Sequence, residues 1–149
     1  MKSEKIIATF LGLGYLPIAS GTVAAFCSCL LLFLLQDFGI SWLVILVVLL
    51  FVFGLGVYVS SALEKEWGKD DNRIVVDEVF GMWVSLLFVP HQMKNYLVAF
   101  ALFRLFDIAK PLGIRHLESL EKGWGVMADD FLAGIYANAL FHLGHYYLK

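Results

Sequence analysis

The sequence predicts an all-α bundle of about four to five apolar helices in a membrane, with its polar side chains collected at the cytoplasmic edge. Of the 149 residues, 60% are hydrophobic and only 16% are charged, and the mean hydropathy is +0.80. Soluble domains are roughly 45–50% apolar and about 25% charged. The apolar residues fall in blocks, and an open sheet edge in hydrocarbon would leave backbone groups without hydrogen bonds. The length suits a single domain over residues 1–149.

The start of the chain predicts an irregular lead-in. Residues 6–22 are interrupted by Gly and Pro and end in the turn-rich PIASGT at 17–22. The tip is basic, but so broken an apolar run is not typical of a cleaved signal peptide, and we expect the segment to be retained. An uncharged apolar run follows at 23–35.

The strongest membrane helix is predicted at 42–63, which holds 22 uncharged residues. A crossing needs about 20 apolar residues, so this segment is long enough alone. Gly54 and Gly56 inside it predict close packing against a neighbouring helix. The charged stretch at 64–78 is expected to form a loop.

Three further apolar segments complete the predicted bundle. Those at 79–89 and 96–106 are short for a full crossing, which favours a thin or partly buried hairpin. The last helix is expected at 131–148, and its aromatic end suits a membrane interface. The predicted crossings are therefore 23–36, 42–63, 79–90, 95–107 and 131–148.

The positive charges predict which end of the bundle faces the cytoplasm. If the N-terminus lies inside, nine of the eleven Lys and Arg residues fall on the cytoplasmic side and two on the outer side, as the positive-inside rule requires. This topology also brings four polar clusters to the cytoplasmic edge, at 17–22, 77–78, 107–110 and 129–130. An active site facing the cytoplasm would need such a convergence.

Five carboxylates are candidate metal ligands and catalytic groups. Asp77 and Glu78 lie where a loop enters an apolar helix, and two acids are more than a helix start requires. Asp129 and Asp130 are expected to open the last helix, where one Asp is an ordinary N-cap. Asp107 ends an apolar segment, and ionisable groups at membrane depth are functional candidates. Because five negative charges repel each other, we expect a bound Mg²⁺, which prefers hard oxygen ligands.

Two cations flank Asp107 and predict a phosphate site. Arg104, Asp107 and Lys110 are spaced by three residues, so on a helix they share one face. The simpler interpretation is a local ion pair at the interface. With a metal ion nearby, Arg104 and Lys110 are expected to bind phosphate oxygens, Arg in bidentate fashion. The constellation indicates metal-assisted phosphoryl chemistry.

Other polar residues favour structural interpretations. His142 and His145 share a face of the last helix and predict interfacial packing. Cys27 and Cys29 have no further partners for a disulfide framework or a zinc site. The acidic pair at 70–71 belongs to a solvated loop, although it could join the site. A net charge of −2 gives no basic surface for nucleic acid.

Four stretches of the sequence carry a family resemblance. They are, in chain order, PIASGT, DNRIVVDEVFG, LFRLFDIAKPLGI and GWGVMADDFLAG. They resemble the four signature stretches of phosphatidylglycerophosphatase A, over residues 12–134. Ser20 stands where the family usually has Pro, Gly113 where a second Pro is common, and Trp124 interrupts a frequent Gly-Gly pair. None of these departures removes a charged group.

The resemblance implies a multi-pass enzyme of the bacterial inner membrane. It would use Mg²⁺ to hydrolyse the terminal phosphomonoester of phosphatidylglycerophosphate, giving phosphatidylglycerol and phosphate. Its partners would be this phospholipid and the surrounding membrane lipid, with apolar helices beside the acyl chains. The first motif adds Thr22 to the expected phosphate-binding residues.

Other functions are weighed against this one. Sequence patterns of cysteine-nucleophile, aspartyl-phosphate and histidine-nucleophile phosphatases are absent, which favours attack by a metal-activated water over an aspartyl nucleophile. The spaced acidic pattern of a lipid-headgroup transferase is also absent. A non-enzymatic membrane protein, such as a cation pathway or an assembly subunit, could use the same acids. A pathway needs acids along the membrane depth, and the runs 23–35, 42–63 and 131–148 contain none.

Overall fold

The computed structural model describes residues 3–69 and 71–147. In this part of the chain every regular element is helical, so the all-α prediction is confirmed. A single 3-10 turn covers Leu13–Tyr15. The α-helices are α1 (Ser3–Ala8), α2 (Ser20–Asp37), α3 (Trp42–Trp67), α4 (Val76–Ser85), α5 (Met93–Ala109), α6 (Ile114–Leu117) and α7 (Gly123–Tyr147).

Two of the described helices, α2 and α3, are long and apolar enough to cross a membrane. This is fewer than the four to five predicted. α4 has ten residues, and at 1.5 Å per residue it is only about 15 Å long. It ends because the chain turns before Pro90, with Phe88 in the left-handed region at φ 59°. The other long helices, α5 and α7, carry charged residues within their length.

Several helix boundaries differ from the prediction, since α4 covers 76–85 rather than 79–90 and α5 covers 93–109 rather than 95–107. α3 continues to Trp67, so the predicted loop at 64–78 starts with helix, and Glu66 forms an ion pair with Lys5 of α1. α7 begins at Gly123 rather than at residue 131. Glycine favours a loop by propensity, but tertiary packing overrides it here. A Cβ on Gly123 would collide with the carbonyl of Val57, so glycine lets α7 start against α3.

α4 is the central element of the bundle, since nine of its ten residues are buried. It packs on α7 through two glycines. A Cβ on Gly81 would lie 2.7 Å from the Asp130 carbonyl oxygen, and one on Gly134 would lie 2.5 Å from the Gly81 carbonyl oxygen. Only glycine at both positions allows the two backbones to approach this closely.

Of the two glycines of α3 predicted to pack against a neighbouring helix, only Gly56 does so in the described part of the chain. A Cβ on Gly56 would collide with the Met127 side chain of α7. Gly54 is different, because no described atom lies within 4 Å of a Cβ placed there. Gly56 therefore permits the α3–α7 contact, whereas Gly54 faces outward.

The helices run between two ends of the bundle. At one end the turn after α4 reaches the α2–α3 connection: His91 lies 3.6 Å from Asp37, and the Phe88 and Trp42 rings are 5.3 Å apart. At the other end Ser20 Oγ at the start of α2 donates to the Asn72 carbonyl. There the Gly123 amide at the start of α7 also donates to Ser61 Oγ on α3. The polar clusters predicted to converge lie at this second end.

The histidines and cysteines have structural surroundings. His142 Nε2 lies 3.1 Å from the Leu87 carbonyl oxygen, and the His145 ring stacks on Phe141. Cys27 and Cys29 are free thiols, and Cys29 is buried. The contacts of the two histidines agree with their packing interpretation.

Candidate metal and phosphate site

Three carboxylates meet where α4 begins beside α7. Asp77 and Glu78 lie in the first turn of α4. One carboxylate oxygen of each lies within 4.8 Å of the other and of an oxygen of Asp130. Asp77 is 8% exposed and Asp130 is 3% exposed. The structure therefore brings together three of the five predicted ligands, from parts of the sequence more than 50 residues apart.

Each of these three acids has a buried oxygen without a hydrogen-bond partner among the described residues, namely Asp77 Oδ1, Glu78 Oε2 and Asp130 Oδ2. Burying an ionised carboxylate without a partner is costly. A divalent cation between the three side chains would supply partners to carboxylate oxygens, which are the ligands that Mg²⁺ prefers. The donor set therefore fits the predicted ion.

Asp107 lies beside this group but is engaged differently. It is in the last turn of α5 and forms an ion pair with Arg104, one helical turn earlier. Its carboxylate is close enough to interact electrostatically with both Glu78 and Asp130. Arg104 has a further buried nitrogen, Nε, without a hydrogen-bond partner in the described chain. The Arg104–Asp107 pair borders the three carboxylates and leaves Arg104 with a donor to offer.

Lys110 does not share the α5 face with Arg104 and Asp107, and the prediction that it does is wrong. The helix ends at Ala109, and Lys110 turns into the left-handed region at φ 45°. Its Nζ donates at 2.5 Å to Asp129 Oδ2 and at 2.5 Å to Glu118 Oε1. Burial alone would lower the pKa of the Lys110 ammonium, but hydrogen bonds to the two carboxylates outweigh it and raise the pKa.

Asp129 and Asp130 do not open α7, in contrast to the prediction. They lie in its second turn, because the helix starts at Gly123. Neighbouring residues on a helix point about 100° apart, so the two acids face different surroundings. Asp130 joins Asp77 and Glu78, whereas Asp129 bonds Lys110 and lines a separate cavity with Lys69 and Glu118. No sequence spacing indicates Glu118 as a partner in this arrangement.

A polar pocket of about 460 Å³ opens beside two of the three carboxylates, Asp77 and Glu78. Its walls include the first residues of α2, the 71–74 loop, Asp77, Glu78 and Arg104. Ala19 precedes α2 and has no side chain that can cap the helix. The free amides at the start of a helix attract anions. Thr22, predicted from the first motif, lies in this wall together with Ser20 and Gly21.

Gly21 sets how closely α2 approaches the carboxylates. A Cβ at this position would overlap the Glu78 carboxylate. We expect Gly21→Ala to displace Glu78 and to lower kcat/KM for the substrate by about 100-fold, since a 1 Å misplacement at a reacting centre can cost that much. Phosphate release and thermal unfolding of the purified protein check this. Gly54→Ala is the matched control, and equal activity of the two variants would contradict the assignment.

The outer wall of the pocket is held by Arg73. Its guanidinium bonds both oxygens of Asp71, at 2.7 and 2.8 Å, and stacks 4.3 Å from the Trp67 ring centre. The hydrogen bond from Arg73 outweighs the effect of burial and lowers the pKa of Asp71. Of the acidic pair that could join the site, Asp71 is therefore engaged by Arg73, and Asp70 lies outside the described residues.

Comparisons with known proteins agree with the motifs. The model of the family described as Phosphatidylglycerophosphatase A matches residues 6–145. A Bacteroides thetaiotaomicron protein named "Putative phosphatidylinositol-3-phosphatase" is 44% identical over 89% of this chain and 87% of its own length. A Haemophilus influenzae protein named phosphatidylglycerophosphatase A is 38% identical over 89% of this chain and 82% of its own length. An Escherichia coli protein of the same name is 31% identical over 95% of this chain and 84% of its own length.

No solved structure matches the chain. The family match covers nearly the whole sequence and includes all four motifs. It confirms the prediction of a lipid phosphatase and disfavours the non-enzymatic alternative. The chain belongs to the phosphatidylglycerophosphatase A family.

Proposed function

We propose that the chain is a Mg²⁺-dependent phosphatase that hydrolyses the terminal phosphomonoester of phosphatidylglycerophosphate to phosphatidylglycerol and phosphate. One observation carries the proposal. Three carboxylates, each with a buried oxygen that has no hydrogen-bond partner among the described residues, offer oxygens within 4.8 Å of one another. Two of them, Asp77 and Glu78, line a pocket together with Arg104 and the start of α2. The names of two relatives support the choice of substrate.

Asp77, Glu78 and Asp130 would hold the ion, with Asp107 and Asp129 adjoining. Bound there, Mg²⁺ would polarise the phosphoryl group and lower the pKa of a coordinated water. In the hydrolysis a water oxygen bonds to phosphorus, and the bond from phosphorus to the glycerol oxygen breaks. The proton from the water would pass to a nearby carboxylate, for which Asp107 is the candidate, and from there to the glycerol oxygen as it leaves.

The phosphate oxygens would be held by this chain's own donors. Arg104 can offer Nε, and the start of α2 can offer its free amides and the Thr22 hydroxyl. Lys110, also expected to bind phosphate, would have to leave Asp129 and Glu118 first. In the resting arrangement its role is to position Asp129.

Replacement of Arg104 tests the phosphate contact. We expect Arg104→Ala to lower kcat/KM by about 100-fold or more, as loss of one donor to a developing charge does in other enzymes. Arg104→Lys should recover only part of this, because it keeps the charge without the planar fork. Kinetics of phosphate release measure both, with Arg115→Ala on exposed α6 as control. Wild-type kinetics for Arg104→Ala would contradict the role.

We also propose that the protein is a multi-pass inner-membrane protein with the site at the cytoplasmic edge. Large apolar side chains are exposed along α2, α3, α5 and α7. The segment from α4 to His91 reaches from the site to the level of Asp37, so it traverses the bundle although α4 alone is short. These features support four to five passes in the arrangement predicted from charge.

Cysteine labelling tests this orientation. Lys122→Cys, near the site, should react with a membrane-impermeant maleimide only in inside-out vesicles. Gln92→Cys, at the other end, should react only in right-side-out vesicles. Labelling of both from the same side would contradict the topology.

A phosphoinositide 3-phosphate is the second candidate substrate, favoured by the name of the relative that shares 44% identity. It is also a phosphomonoester on a lipid headgroup. The decisive experiment compares phosphate release from phosphatidylglycerophosphate and phosphatidylinositol 3-phosphate of identical acyl chains in the same micelles. We expect the first to be at least about tenfold better in kcat/KM. The reverse order would assign the phosphoinositide, and no release from either would contradict both candidates.

A further inference from the structure

An apolar groove lies on the outer face of the bundle, between α3, α4 and α7. Its volume is about 670 Å³, and every side chain that lines it is apolar. Leu50 of α3 is 76% exposed, and Ile135 of α7 is 39% exposed, so the groove opens to the surroundings. No segment of the described chain covers it. The groove is separate from the polar pocket that borders the carboxylates.

One end of the groove is built from residues next to the site. Phe80, Phe131 and Phe53 form an aromatic floor, with ring centres 5.2 to 6.1 Å apart. Phe80 follows Glu78 by two residues, and Phe131 directly follows Asp130. The aromatic end of the groove therefore lies at nearly the same height along α4 and α7 as Glu78 and Asp130, two of the three carboxylates.

The groove extends from this floor toward the end of the bundle opposite the site. Along α3 it runs from Phe53 to Leu46, seven residues, which is about 10 Å of helix. α3 is one of the helices able to cross a membrane, and residues 46–53 lie within its predicted crossing at 42–63. The groove would therefore lie at the depth of the membrane hydrocarbon and lead away from the site.

We propose that this groove seats an acyl chain of the lipid whose headgroup occupies the carboxylate site. The inference rests on the proposed function. A lining without hydrogen-bonding groups suits a hydrocarbon chain and rejects a headgroup. Because the groove begins at residues next to Glu78 and Asp130, an acyl chain in it would belong to the bound substrate rather than to the surrounding lipid. Contacts made equally in the ground and transition states lower KM and leave kcat unchanged.

Ile135→Trp fills the groove and tests the proposal. The full-length protein is assayed in the same detergent with two phosphatidylglycerophosphates, one with long and one with short acyl chains. We expect the KM for the long-chain lipid to rise about tenfold at unchanged kcat, while the short-chain KM stays within about twofold. Leu143→Trp, exposed on the same helix away from the groove, should change neither value.

Two results would overturn the proposal. An equal rise in KM for both lipids would show a structural defect. An unchanged KM for both would indicate that the groove is filled by bulk lipid or by a second copy of the protein. A binding measurement separates this proposal from the proposed function. Phosphatidylglycerophosphate with a photoreactive group in the acyl chain is crosslinked in the presence of EDTA, when no turnover is expected. Crosslinks at 46–50 and 131–135 support the groove even if phosphate is never released, and their absence contradicts it.

Discussion

Asp130→Asn is expected to lower phosphate release by about 1000-fold or more while the protein stays folded. Asn keeps the shape of the side chain but removes the negative charge that would hold the ion, and metal ions supply several kcal/mol of transition-state stabilisation. Asp130 is the residue that joins α7 to the α4 pair. Release of inorganic phosphate from phosphatidylglycerophosphate micelles measures the loss.

The thermal stability of the same variant gives an independent readout. Because Asp130 is buried beside other acids, its neutralisation should leave the metal-free protein as stable as the wild type or more so. Mg²⁺ should raise the Tm of the wild type, since a ligand that binds only the folded state stabilises it, and should not raise that of Asp130→Asn. The control is Glu121→Gln, an exposed acid. Full activity of Asp130→Asn would contradict the site.

Gly134→Val is expected to disrupt the bundle itself. The valine side chain would collide with the Gly81 carbonyl and with Val84, and a backbone cannot move aside as a flexible side chain can. Overpacking typically costs about 1–3 kcal/mol and occasionally more, and we expect more than 3 kcal/mol here. Separation of α4 from α7 would also pull Asp77 away from Asp130, so metal binding and activity should fail together.

The matched control for this prediction is Gly54→Val. It introduces the same side chain into a helix, but no described atom lies within 4 Å of a Cβ there. Thermal unfolding in detergent and phosphate release are measured for both variants. We expect a clear loss of Tm and activity only in Gly134→Val. Equal behaviour of the two would show that the α4–α7 contact does not organise the site.

The sequence predicted the helical class and the convergence of the polar clusters because both follow from one-dimensional signals. Blocks of apolar residues mark membrane helices, and alternate crossings return the starts of α4 and α7 to one end. The charged motifs then identify Asp77, Glu78 and Asp130 as neighbours. The structure adds that Phe80 and Phe131, next to these acids, belong to a groove.

The mistakes concern features that depend on tertiary packing. The apolar run follows Asp130, so the sequence predicts α7 from residue 131, yet the helix starts at Gly123, where contact with α3 makes glycine necessary. Lys110 was placed on a helix face by its spacing, but the helix stops one residue earlier. Its partner Glu118 is eight residues away, beyond α6, and no periodic pattern predicts that pairing.

The most direct test of the central claim is the metal dependence of phosphate release. The purified protein is stripped with EDTA, assayed on phosphatidylglycerophosphate micelles, and then titrated with Mg²⁺. We predict that release stops in EDTA and returns with Mg²⁺ in the wild type and Glu121→Gln, but not in Asp130→Asn. Release that continues at the original rate in the metal-stripped protein would contradict a metal site formed by Asp77, Glu78 and Asp130.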